Sequence, residues 1–169
     1  GPREFHEADG LPSDVVYSLV PDPKGGVWIG TDKGLARWDN GRIRVVGAPA
    51  TSKLAVISIT VDERGRVWMG RLAGGIAIYD GDSVTSIGVP QGGTDQTVWA
   101  LARGTDGAMW AATNGDGALR IDAKGIRRYT MADGLASNFV WQVLPDSHGD
   151  VWMFGNLGIE RVSGGRGTH

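Results

Sequence analysis

Residues 12–47 read PSDVVYSLVPDPKGGVWIGTDKGLARWDNGRIRVVG. Four short runs stand out, VVYSLV, GVWIGT, GLARWD and RIRVVG, parted by turns rich in Gly, Pro, Asn and Asp. No stretch keeps a 3.6-residue periodicity long enough for a helix. The same frame then returns. Trp28, Trp68, Trp110 and Trp152 lie 40, 42 and 42 residues apart. Three residues before them stand Gly25, Gly65, Gly107 and Gly149; six before stand Asp22, Asp62, Gly104 and Asp146. Twelve before, every unit carries Val: Val16, Val56, Val98 and Val140. A glycine and an aliphatic residue follow each Trp, as Gly34-Leu35, Gly75-Ile76, Gly117-Ala118 and Gly158-Ile159. A four-stranded unit of about 40–45 residues, repeated in register, is the pattern of a β-propeller blade. The predicted fold is an all-β propeller of four antiparallel blades.

The phase of the repeats is informative. REFHEADGL (3–11) matches RRYTMADGL (127–135), the fourth strand of unit three and the loop after it. Residues 3–8 therefore read as a fourth strand lacking its first three. The last unit has three strands, FVWQVL, DVWMFG and GIERVS, and no fourth. The expectation is velcro closure, the N-terminal strand completing the last blade. The units fall at about 12–47, 48–88, 89–130 and 131–163 plus 3–8, as one domain over 3–163. Gly1-Pro2 reads as a protease scar and 164–169 as a flexible tail. Four blades closing alone, two chains sharing an eight-bladed ring, and an excerpt of a larger propeller all fit this phase. An open arc is disfavoured because it exposes two apolar blade faces. Strict alternation puts Tyr17/Leu19, Ile57/Ile59, Trp99/Leu101 and Trp141/Val143 on one blade face and Val16/Ser18, Val56/Ser58, Val98/Ala100 and Val140/Gln142 on the other. Arg42, Arg44, Arg127 and Arg128 mark the fourth strands as outer edges.

Composition narrows the function. Glycine makes up 28 of 169 residues, well above the usual level of about 7%, but with 7 prolines and 41% hydrophobic residues the chain is neither collagen-like nor low-complexity. The absence of cysteine excludes a disulfide scaffold, a thiolate metal site and a cysteine nucleophile. A net charge of −2 carries no field for nucleic acid. No apolar run approaches the ~20 residues of a membrane-spanning helix. Phosphate-loop, dinucleotide, HExxH and GxSxG motifs are missing.

The run DGLPSDVVYSLVPDPKGGVWIGTDKGLARWDNG (9–41) resembles the two-component-regulator propeller repeat, and DGLASNFVWQVLPDSHGDVWMFGNLGIERV (133–162) is a second good copy. Units two and three are more worn, with Arg71 in place of the Thr and Ala112 in place of the Gly. That repeat belongs to extracytoplasmic sensor halves of bacterial hybrid histidine kinases and related regulators. The resemblance implies a sensing or interaction propeller, extracytoplasmic, usually beside other signalling modules and often in a seven-bladed ring. Streptogramin lyases have a similar Gly-x-x-Trp blade and use a catalytic His. None of His6, His148 and His169 stands where such a role is defensible. Sialidase-like Asp-boxes place Asp five residues before the aromatic, whereas here it is six.

The repeated Trp residues read as core, Trp99 and Trp141 included. The Asp-x-x-Gly turns read as Asp capping turn amides rather than as calcium sites, and Asn114-Gly115-Asp116-Gly117 as a hairpin turn rather than an ion nest. Function is expected on the loops that vary upon the fixed frame: GLPSD, PATSK, QGGTDQ and GLASN, with TDK, RLAG, TNGD and GNL on the same end. From them Asp14, Lys53, Arg71, Gln96, Asn114, Asp116, Asn138 and Asn156 are expected to ring a channel mouth and meet a small polar ligand or carbohydrate. The reading is a non-catalytic binding module without metal or cofactor. The alternatives are a self-assembling fragment or engineered scaffold, and a propeller lyase.

Overall fold

The computed structural model describes residues 1–87 and 97–163. Four antiparallel meanders follow one another along the chain. The first holds β1 (Val16–Pro21), β2 (Val27–Thr31), β3 (Gly34–Asp39) and β4 (Arg42–Val46). The second holds β5 (Val56–Val61), β6 (Val67–Arg71), β7 (Ile76–Tyr79) and β8 (Val84–Ile87). The third holds β9 (Val98–Arg103), β10 (Met109–Thr113), β11 (Ala118–Asp122) and β12 (Gly125–Tyr129). The last has three strands, β13 (Val140–Pro145), β14 (Val151–Gly155) and β15 (Gly158–Val162). In each sheet the strands pair in sequence order, as short polar turns dictate.

The sheets pack face to face as blades, and one rule governs every junction. The forward face of one blade presents its Trp to the back face of the next. Trp28 and Leu35 pack on Val56, Ile59 and Met69; Trp68 and Ile76 pack on Val98, Leu101 and Met109. Trp110, stacked on Tyr129 at 5.3 Å, packs on Val140, Val143 and Met153. At the first two junctions the glycine two residues after the Trp makes the close approach possible; at the third Ala112 holds that place. A β-carbon on Gly30 would lie 2.6 Å from the Val56 carbonyl oxygen, and one on Gly70 would lie 2.7 Å from that of Val98.

A bulge recurs near the start of every innermost strand. Val16 pairs with Thr31 but Ser18 with Gly30, and the same slip separates Val56 from Ser58, Val98 from Ala100 and Val140 from Gln142. The bulge inserts one residue and shifts the side-chain phase. This corrects the strict alternation expected above. Val56 joins Ile59 on the back face, and Val98 joins Leu101. The bulged residues Tyr17, Ile57, Trp99 and Trp141 belong to none of the buried clusters. Trp99 and Trp141 are thus exposed at the inner edge, not core.

The arc is open. β1, β5, β9 and β13 pack on one another in succession, and among the described residues no comparable packing joins β1–β4 to β13–β15. Residues 3–8 form no strand. Glu7–Asp9 is a 3-10 turn, Phe5 lies against Ile29, Ala36 and Ile43 of the first blade, and among the described residues no strand pairs with the outer edge of β15. The expected closure within one chain is absent here: the segment stays with the first blade, where Phe5 is packed. The expected tail, 164–169, lies outside the described residues.

Gly70→Ala is expected to destabilise the chain by about 1–3 kcal/mol, because its new methyl drives the third blade off the second. Thermal unfolding followed by circular dichroism checks this, with a fall in Tm of about 2–4 °C per kcal/mol at this chain length.

Candidate functional site

Antiparallel pairing brings the loops ahead of the innermost strands to the same end of each sheet as the β2–β3, β6–β7 and β10–β11 turns. Hydrogen bonds tie these loops together within each blade: Asp32 N–H to the Val15 carbonyl at 3.2 Å, Leu72 N–H to Ala55 at 3.0 Å, and Asn114 N–H to Thr97 at 3.0 Å. This end therefore gathers most of the predicted residues, but not in equivalent roles.

Asp14 and Asn138 are loop struts. Each side-chain Oδ1 accepts a backbone N–H seven residues upstream, from Glu7 and from Met131, both at 2.8 Å. Asp116 accepts from the Arg128 guanidinium at 3.3 Å. Lys53, Asn114 and Asn156 are exposed, and Gln96 lies outside the described residues. Asn114-Gly115-Asp116-Gly117 forms the β10–β11 turn, with Thr113 Oγ1 accepting from Asp116 N–H and donating to the Gly117 carbonyl.

Arg71 differs from the rest. It ends β6, half-buried, where β2 and β10 end in Thr31 and Thr113. Those threonines close their turns with a hydroxyl; Arg71 does so by donating to the Gly74 carbonyl and to Ser86 Oγ at 3.4 Å. Burial lowers its pKa from the ordinary guanidinium value, and its partners among the described residues are neutral oxygens. Its turn is also the most contorted. Ala73, Gly74 and Gly75 all have positive φ, at 58°, 107° and 71°, and a non-glycine residue there is strained.

The opposite end is uniform. Asp22, Asp62 and Asp146 each open the turn after an innermost strand, with Oδ1 accepting the N–H two residues on at 3.0, 2.9 and 2.9 Å. In two blades Oδ2 also accepts the indole N–H, from Trp68 at 2.9 Å and from Trp152 at 3.0 Å. In the third blade Asp106 replaces the missing Asp, accepting from Ala108 N–H and from Arg120. These carboxylates are spent on turn amides and indoles. Burial pushes the Asp62 carboxyl up, yet the bonds from Trp68 and Arg66 outweigh it and hold the group below the usual value. The Trp152 indole N–H lowers Asp146 in the same way.

Sequence reasoning missed two features. Asp32, in the β2–β3 turn, keeps one buried carboxylate oxygen without a partner among the described residues; the TDK loop held that signal. The exposed ring positions Tyr17, Trp99 and Trp141 were hidden by the bulge. The histidines do not converge: His6 sits at the loop end, 3.6 Å from Asp14, while His148 lies in the Asp146 turn at the other end. His169 lies outside the described residues.

The profile of the two component regulator propeller family matches residues 10–33, from the loop before β1 into the β2–β3 turn. The extracellular domain of a one component system from B. thetaiotaomicron superposes with a TM-score of 0.77 at 21% identity, over 93% of this chain and 22% of that one. The extracellular domain of a hybrid two component system from the same organism gives 0.76 at 25% identity, over 89% and 21%. Virginiamycin B lyase from Staphylococcus aureus gives 0.67 at 18% identity, over 87% and 55%. The chain thus spans about a fifth of the length of the two B. thetaiotaomicron chains it matches. No curated protein matches it in sequence.

Because the folded Asp62 carboxyl titrates below its unfolded value, its contribution is full above about pH 4 and is lost as pH falls through the folded pKa. Asp62→Asn is expected to destabilise the chain by about 1–2 kcal/mol at pH 7. The gap to wild type should close on acidification below about pH 4; Tm measured along a pH series reads it, and a gap of constant size contradicts the assignment.

Proposed function

We propose that this chain is a non-catalytic, sensor-type propeller module that binds a carbohydrate or other small polar molecule on the loop end and inner edge of its blades. The observation that carries the reading is the row of bulged residues. Tyr17, Trp99 and Trp141 occupy one repeated position on β1, β9 and β13, exposed and outside the core, with Ile57 at that position of β5. An aromatic ring costs solvation when left in water and offers a flat apolar face to the C–H side of a sugar ring. Arg71, Lys53, Asp32, Asn114 and Asn156 at the adjoining loop end supply donors and acceptors for hydroxyl or acidic groups. The uniform, internally satisfied turns at the other end offer no such chemistry. The likeness to extracellular domains of two-component systems supports the sensor role and an extracytoplasmic location. The lyase likeness supports a shared frame only, since His6 and His148 lie at opposite ends of the sheets.

A thermal-shift screen of oligosaccharides, sugar acids and small metabolites tests the proposal. A ligand at 100 times its Kd stabilises by about 2.7 kcal/mol, a rise of several degrees. Trp99→Ala and Trp141→Ala are expected to abolish the shift while leaving the unliganded Tm nearly unchanged, because neither ring is core. Absence of stabilisation across the screen, or shifts indifferent to both variants, overturns it.

A further inference from the structure

The two ends of the arc are the two halves of the junction that joins its blades. Trp28, Trp68 and Trp110, each on a forward face, are 7%, 5% and 3% exposed, whereas Trp152 on the last forward face is 40% exposed. Leu144, Phe154 and Ile159 beside it are exposed too. On the back faces Val56, Val98 and Val140 are 0%, 0% and 2% exposed, whereas Val16 is 40% and Leu19 63%. A monomer thus leaves in water the same apolar surfaces that every internal junction buries.

The N-terminal segment is already shaped for a neighbour. Residues 6–15 repeat the turn bonds of residues 130–139, while the two bonds of the Thr130 hydroxyl have no counterpart at His6. Leu11 N–H reaches the His6 carbonyl as Leu135 reaches Thr130, and Gly10 reaches Glu7 as Gly134 reaches Met131. Asp9 Oδ2 takes the His6 N–H at 2.9 Å as Asp133 takes that of Thr130, and Ser13 serves Val15 as Ser137 serves Phe139. Further out, the Arg3 guanidinium lies 4.7 Å over the Phe5 ring as that of Arg127 lies 4.5 Å over Tyr129. Phe5 packs on the back face of the first blade through Ile29, as Tyr129 packs on the last blade through Met153. Residues 3–5 therefore lie where the outer strand of a preceding blade belongs, although no strand pairs with them. At the far end β15 has the complementary lack, an outer edge without a paired strand among the described residues.

We propose that a second copy of this chain fills both places. Each copy inserts residues 3–5 beside β15 of the other and sets its first back face against the other's last forward face. Transposing the β11–β12 register puts Phe5 opposite Ile159 and Arg3 opposite Arg161, as Tyr129 stands opposite Ala118 and Arg127 opposite Arg120. The contact is head to tail, so it stays soluble only if the rotation closes; two four-blade arcs make a ring of eight. Closure pairs the β15 edge and buries the apolar end faces of both copies at once. The second copy is favoured as occupant because residues 3–15 repeat residues 127–139 and because Trp152 and Val16 stand at the places of Trp110 and Val140, although Phe154 holds the place that Gly30, Gly70 and Ala112 hold at the internal junctions.

Sedimentation or light scattering of the 169-residue chain should give twice 17.9 kDa across a dilution series. Leu19→Arg alters only the first back face, and Ile159→Arg only the last forward face; both residues are exposed within one copy. Each variant alone should be monomeric, because every junction it makes contains one altered face. An equimolar mixture should recover a dimer through its single intact junction. A monomeric wild type, an open-ended series of larger species, or a lone variant of wild-type mass overturns the proposal; the last would mean like faces meet. Should either variant unfold, a second measurement decides. The chain has no cysteine, so Phe5→Cys with Ile159→Cys under oxidising conditions should yield a covalent dimer. A disulfide within one chain, or none, overturns it. Mass and crosslinking are read without ligand, so failure here is separable from failure of the ligand screen.

Discussion

The blades depend on one close approach. In the first two blades the glycine two residues after the Trp lacks a β-carbon, and the backbone of the next blade comes in against it: Val56 on Gly30, Val98 on Gly70; in the third blade Ala112 holds that place. Ser58 spans the same gap, its hydroxyl 3.3 Å from the Val98 carbonyl. With the backbones that near, the Trp ring beside the glycine fills the remaining space against Val, Ile and Met of the following sheet. Stability in such a chain is a sum of blades and junctions rather than of one central core. An unpaired terminal junction therefore stays a local fact, and does not spread into the blades beside it.

The two ends of each sheet have diverged for a related reason. At the Asp-x-x-Gly end the carboxylate must satisfy turn amides and, in two blades, the indole N–H of the repeated Trp. That end is bound into the packing and leaves little room for change. The loop end holds the blades only through a few backbone bonds and struts such as Asp14 and Asn138. Its other positions are free to differ, which is why a Thr-closed turn in two blades becomes the strained Arg71–Gly75 turn in another.

Much of this was legible from residue spacing. Four Trp residues in register with Gly, Asp and Val specify four short meanders, and the strands fall close to the runs read from the sequence. Capping by Asp22, Asp62 and Asp146 was legible too, because an Asp two residues ahead of a turn amide has a local partner. The candidate site was less so. Asp14 and Asn138 have the composition of ligand-binding residues but are consumed by backbone bonds seven residues away, which no loop-composition argument reveals. The inner-edge aromatics were assigned to the core because strict alternation leaves no third direction for a strand residue; the bulge supplies one.

What the sequence alone determined is everything carried by short-range chemistry: the strands, the turns, the repeat and the matching of residues 3–11 to 127–135. Those features rest on local backbone preference and on a pattern copied four times. Only the tertiary structure decided where the phase slips within the innermost strands, which Trp residues face solvent, and that the arc stands open with residues 3–5 laid on the first blade. These depend on how far each sheet rotates against the next and on which groups lie within reach across the gap. Such quantities accumulate over the whole chain and have no signature in any one stretch of it.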